Sequence, residues 1–200
     1  MPTLSYDKKI ELLSDHYKDT FAQLKDYLKL RDRLFALILV TITLLLFQIY
    51  SPDEAGVTIG AFIAKNLEIQ NTINIAFVGS VIWFVLLGFV IRYFQTVILI
   101  ERQYSYIHDL EAQLSKHYQE KAFTREGKTY LKNYPLFSDW AYILYTIVFP
   151  SLLIIVVLGK IINEIYFSKG RSLLLVFDSV IAVCVLISTV LYMRMVHFQK

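Results

Sequence analysis

The sequence predicts an all-α integral membrane protein with four transmembrane helices, the first two of which extend beyond the bilayer into the cytosol. Three observations carry this. The 200 residues are 56% hydrophobic and 15% aromatic, and the mean hydropathy of +0.50 is too high for a soluble domain. Charged residues make up only 18% and cluster between long apolar runs, which excludes disordered, collagenous and coiled-coil classes. Four of those runs approach or exceed the roughly 20 residues needed to cross about 30 Å of hydrocarbon.

Residues 1–33 are polar and charged. They lack the short basic region, adjoining apolar segment and small-residue cleavage site of a secretory signal, so this segment is expected to remain in the mature chain. Ile10, Leu13, Tyr17, Phe21, Leu24 and Leu28 recur at steps of three and four, with Lys, Asp and Glu between them, which predicts a cytosolic amphipathic helix. No proline separates it from the first span at 34–50, so one helix is expected to pass unbroken into the bilayer, ending at Ser51 and Pro52. In the outer segment 51–72, Val57, Ile59, Phe62, Ile63 and Leu67 are compatible with a short helix on the membrane surface. A plain connector is the preferred reading there.

The second span occupies 73–100, with Arg92 placed to snorkel to the headgroups. Its periodicity continues through Tyr104, Ile107, Leu110, Leu114 and Tyr118, so this helix too extends into the cytosol, with Gly127 as a stop. The rest of the 101–139 segment reads as an aromatic and basic loop or short helix. Trp140 marks an interface; the third span, 140–167, holds Pro150, which predicts a kink. A tight outer turn at 168–171 leads to the fourth span at 172–193 and a cytosolic tail at 194–200. Cys184, the single cysteine, cannot form an intramolecular disulfide and reads as a buried structural thiol.

Charge distribution sets the orientation. Lys8, Lys9, Lys18, Lys25, Lys29, Arg31 and Arg33 precede the first span, and Arg102, Lys116, Lys121, Arg125, Lys128 and Lys132 lie between the second and third. Only Lys65 occupies one outer segment, and Lys169 and Arg171 the other, so both termini are expected in the cytoplasm. A net charge of +3 distributed in this way gives no reason to expect direct nucleic-acid binding.

Asp178, flanked by apolar residues in the fourth span, is the most informative charge. Such a residue costs about 2.5–3.5 kcal/mol to insert and normally finds a partner. Lys160 and Asp178 each lie nine residues from Lys169, so at about 1.5 Å per residue they sit at nearly equal depth. They pair if their helix faces agree, with Glu164, one turn beyond Lys160, as a competing partner. A salt bridge that locks the hairpin is the preferred reading over a gate or ion-path group.

His108 with Glu111 and His117 with Glu120 have the i, i+3 spacing of metal-ligand pairs, but nine residues at about 100° turn the second pair half a revolution from the first. A solvated or partner-facing helix is the better reading. Gly127-Lys128-Thr129 lacks the earlier glycine of a phosphate-binding loop. Without a nucleophile elbow, paired cysteines or a convergent Ser, His and Asp set, no enzymatic role, metal or other cofactor is expected. Arg125, Lys128, Tyr130, Lys132 and Trp140 suit an interfacial skirt contacting membrane lipid headgroups, or a docking site for a cytosolic protein. The apolar stripe of the first helix must be covered by the second, by another copy or by a partner.

The string Arg125-Glu126-Gly127-Lys128, Tyr130-Leu131, Tyr134-Pro135, Phe137-Ser138 and Trp140, followed by a span holding Pro150, resembles that of small bacterial four-span membrane proteins. The outline is similar to the membrane components of bacterial anti-phage systems, the Kiwa-type membrane subunit among them. The resemblance implies a homo-oligomeric inner-membrane protein that works with a cytosolic partner in defence. The expected function is therefore non-enzymatic coupling of that partner, or a ligand, to membrane sensing or permeabilisation. The alternative is a small ion channel or transporter subunit with a path near Asp178.

Overall fold

The computed structural model describes residues 6–67, 75–116, 140, 142–167 and 173–198, and among them there is no β-strand. The helices are α1 (Tyr6–Tyr50), α2 (Pro52–Leu67), α3 (Ile75–Ser115), a π-helical turn (Leu144–Val148) leading into α4 (Phe149–Phe167), and α5 (Leu173–Phe198). Four of them, α1, α3, the π turn with α4, and α5, are long and apolar enough to cross a membrane. The chain is an all-α, four-span membrane protein.

The 45 residues of α1 contain neither glycine nor proline, which is why it runs unbroken from a charged half into an apolar half. On the exposed side Asp15–Lys18 and Asp26–Lys29 pair at 3.1 and 3.3 Å, each contributing only a few tenths of a kcal/mol, about 0.3–0.5. The helix closes where the Ser51 N–H donates to the Phe47 carbonyl at 3.0 Å, ahead of Pro52.

The expected plain connector after the first span is overturned, because residues 52–67 are helical. Pro52 breaks α1 but also begins α2, since a proline in the first turn has no N–H to leave unsatisfied. The Ser51 carbonyl accepts the Ala55 N–H at 2.9 Å. Asp53 and Glu54 in the first turn and Lys65 in the last complement the helix dipole.

Contacts group the chain into two units. The first comprises Met1–Arg33 with Gln95–Tyr142, and the second Leu34–Phe94 with Ile143–Lys200. In the first, Leu24, Ile100 and Ile107 form a core flanked by Tyr17, Phe21, Tyr27, Leu28 and Tyr104. The stripe of the N-terminal helix is thus covered by the extension of α3. Leu110 and Leu114 are also buried, Ile10 and Leu13 half-buried.

In the second unit the buried stripes are Ile38, Ile42 and Leu45 of α1; Trp83, Leu86, Val90 and Tyr93 of α3; Leu153, Val156 and Val157 of α4; and Ile181, Ala182 and Val185 of α5. The opposite faces are apolar too, with Ile155, Ile162, Val180, Ile187 and Val190 exposed, as hydrocarbon contact requires. Cys184 is exposed as well, which corrects its reading as a buried thiol. In a span an apolar neighbourhood does not distinguish a protein-facing side from a lipid-facing one.

An aromatic layer joins all four spans: Phe35 lies 5.0 Å from both Tyr145 and Phe149, Tyr93 lies 5.4 Å from Phe149, and Phe94 stacks on Tyr192 at 4.2 Å. Pro150, where the sequence predicts a kink, directly follows a π turn, in which the Phe149 N–H bonds the Leu144 carbonyl. A proline crowds the carbonyl four residues back, here Thr146, and a widened turn makes room. Near the other end of the bundle the Gln48 side chain lies over Gly79, where an added Cβ would stand 2.5 Å from its Nε2. Helix α5 continues to Phe198, beyond residue 193 where the fourth span is expected to end.

Phe149→Ala should cost about 3 kcal/mol, read as a fall in the unfolding free energy of the micelle-solubilised protein. Val190→Ala, on the exposed apolar face, should change it by less than about 0.5 kcal/mol.

Candidate functional site

The inward face of each helix is set by its three-and-four periodicity, and the intramembrane charges fall on those faces. On α4 the stripe Leu153, Val157 is continued by Lys160 and Glu164; on α5 Asp178 begins the stripe that continues through Ile181, Ala182 and Val185. Lys160 and Asp178 are only 5% and 2% exposed, whereas Glu164 is half-buried. Equal depth together with facing stripes brings Lys160 Nζ to 3.7 Å from Asp178 Oδ2. The same ammonium donates to Glu164 Oε1, so one cation serves two carboxylates.

Trp83, fully buried on α3, completes the cluster. Its indole N–H donates to the Asp178 backbone carbonyl at 3.0 Å, and its ring centre lies 6.0 Å from Lys160 Nζ, at the outer range of a cation–π contact. Sequence reasoning missed this residue. The available signal was its depth: a tryptophan eight residues inside a helix that starts at Ile75 is not an interfacial anchor, and its N–H must find a buried acceptor. Asp178 Oδ1 and Glu164 Oε2 are buried with no hydrogen-bond partner among the described residues. The cluster therefore holds one positive group, two carboxyl groups and two open acceptor atoms.

In the first unit the Tyr17 hydroxyl donates to Glu111 Oε1 at 3.1 Å, His16 Nε2 and the Tyr106 hydroxyl share a hydrogen bond of 2.7 Å, and Gln103 donates to Gln23 at 3.3 Å. Glu111 is 3% exposed, so of the two readings of this helix, solvated or partner-facing, the solvated one fails at this position. The i, i+3 spacing from His108 said nothing of the α1 tyrosine that engages it. Arg125, Lys128, Tyr130 and Lys132, with His117 and Glu120, lie outside the described residues, while Trp140 is exposed.

Removing the shared cation is the harshest test of the cluster. Lys160→Met leaves two carboxylates in a low-dielectric site and should cost about 3–5 kcal/mol of unfolding free energy. Combining it with Asp178→Leu and Glu164→Gln should recover most of that, because the charges then leave together. In the first unit, Tyr17→Phe should lose about 1–3 kcal/mol by withdrawing a donor from buried Glu111, and adding Glu111→Met should restore it.

The chain matches no family model, no curated protein and no solved structure.

Proposed function

We propose that the protein is a non-enzymatic, homo-oligomeric component of the bacterial inner membrane, with both termini cytoplasmic. In this reading it couples a cytosolic partner or ligand to sensing or permeabilisation of the membrane. Anti-phage defence is the process its resemblance points to.

The observation that carries the reading is the continuity of α1 and α3. At about 1.5 Å per residue, α1 alone is about 67 Å long, more than twice the hydrocarbon thickness, and neither helix is interrupted between its polar and apolar parts. An event at the polar end of such a helix has a covalent, hydrogen-bonded route into the spans. Arg125, Lys128, Tyr130, Lys132 and exposed Trp140 supply the basic and aromatic chemistry for docking an acidic protein surface or contacting lipid headgroups. The distribution of Lys and Arg favours the cytoplasmic side for this region.

The second reading, an ion channel or transporter subunit, is favoured by the open carboxylate oxygens of Asp178 and Glu164. Against it, Asp178 faces Lys160 inside its own hairpin, which supports a structural lock.

A voltage-sensitive dye separates the two readings in cells with matched membrane levels of each variant, before and after phage challenge. Coupling predicts a challenge-dependent potential change that is lost when Arg125, Lys128 and Lys132 are replaced by alanine and retained in Asp178→Asn. Loss in Asp178→Asn with the alanine variant still responding selects the ion path, and an alanine variant that keeps both response and partner recovery rejects docking at these residues.

A further inference from the structure

Among the described residues, the polar cluster between α4 and α5 holds one ammonium, Lys160, against two carboxyl groups, Asp178 and Glu164. Asp178 is almost completely buried, its Oδ2 is 3.7 Å from Lys160 Nζ and its Oδ1 has no partner among the described residues. Glu164 binds the same ammonium through Oε1 and leaves Oε2 equally open. Among the described residues no neighbouring helix supplies a further cation: the inward positions at this level are Ser80 and Trp83 on α3 and Leu45 and Gln48 on α1, none of them charged, while Lys169 and Arg171 between α4 and α5 lie outside the described residues. The Ser80 hydroxyl returns to its own helix at Ala76 and the Trp83 N–H is committed to the Asp178 carbonyl. A bare surplus charge in hydrocarbon is costly, and a bound cation removes that cost.

We propose that Lys160, Glu164 and Asp178 form a binding site for one exchangeable monovalent cation, a proton or an alkali ion, whose ligands are Asp178 Oδ1 and Glu164 Oε2. Access is one-sided. The Glu164 side chain is 23% exposed, against 6% for Lys160 and 4% for Asp178, and α4 ends three residues later at Phe167. In the other direction Val157, Val156 and Leu153 on α4 and Ile181, Ala182 and Val185 on α5 form a buried apolar layer. An ion entering past Glu164 reaches Asp178 and meets hydrocarbon side chains beyond it. The site is thus a sensor of cation activity at the α4–α5 hairpin end of the bundle, and it is distinct from both partner docking and a through-path.

The chain has two tryptophans, and Trp83 touches the site, so Trp140→Phe leaves a single reporter. The protein in neutral-lipid nanodiscs is titrated with sodium or potassium chloride against choline chloride at constant ionic strength, and separately with pH across about 5–9 in choline alone. The expected result is a saturable one-site change in Trp83 emission. A response to salt but not pH identifies an alkali ion, one to pH alone a proton, and one to both a competition between them.

Glu164→Gln leaves the Lys160–Asp178 pair balanced and should abolish the response, with helicity and elution volume unchanged, while Glu164→Asp should retain it with a midpoint shifted by tenfold or less. Flat emission in both titrations, or an unaltered response in folded Glu164→Gln, overturns the proposal. Because no partner or challenge enters this experiment, its failure is separate from failure of the coupling reading.

Discussion

Hydrocarbon offers no hydrogen bonds, and the polar groups of the four spans are arranged under that constraint. Hydroxyls answer it locally: Thr41, Thr43, Ser179, Ser188 and Thr189 each donate to the carbonyl four residues back, at 2.7–2.8 Å. Trp83 cannot reach its own helix and crosses to the Asp178 carbonyl. Lys160, Glu164 and Asp178 satisfy much of one another's need. These side chains either fold back on their own helix or tie two helices together, and the second kind sets the geometry.

Two layers result. The charge cluster ties α3, α4 and α5 together, and the aromatic cluster around Phe35, Tyr93, Phe149 and Tyr192 ties all four spans. From Trp83 to Tyr93 and from Lys160 to Phe149 the separation is ten and eleven residues, about 15–17 Å at the helical rise, so both helices cross the same distance between the same layers. The π turn beside Pro150 lies at the aromatic layer, where Tyr145 within it packs on Phe35. The same widened turn that accommodates the proline belongs to the segment that presents this aromatic residue.

Hydropathy made the four spans legible because length and composition alone decide whether a helix can cross hydrocarbon. The continuity of α1 was legible because it is a statement about missing prolines and glycines. Depth was legible too, since counting from Lys169 placed Lys160 level with Asp178. Facing was not. Periodicity identifies an apolar stripe when the other side is polar, as for Tyr17, Leu24 and Ile107, but in the spans both sides are apolar, which is why Cys184 reads as buried from sequence and is exposed in the structure. Pro52 misled because one residue can end a helix and start another, and Glu111 because its partner, Tyr17, is 94 residues away.

A buried ion pair is a poor source of stability, since desolvation offsets most of its attraction. Its effect here is on rotation. Turning α5 by one residue, about 100°, would swing Asp178 from Lys160 toward lipid and expose a charge worth roughly 2.5–3.5 kcal/mol on insertion scales. The surrounding contacts are less selective, because Val180, Val183 and Ile187 are as apolar as the inward Ile181, Ala182 and Val185 and rotation exchanges one set for the other at little cost. Apolar packing brings the helices together, and the charge specifies which face meets which. The surplus carboxylate is not required by that task, since Lys160 and Asp178 alone would fix the rotation. Glu164, at the open end of the cluster, brings a second carboxyl group to the same ammonium, and in the proposed site that second group is what separates binding from a lock.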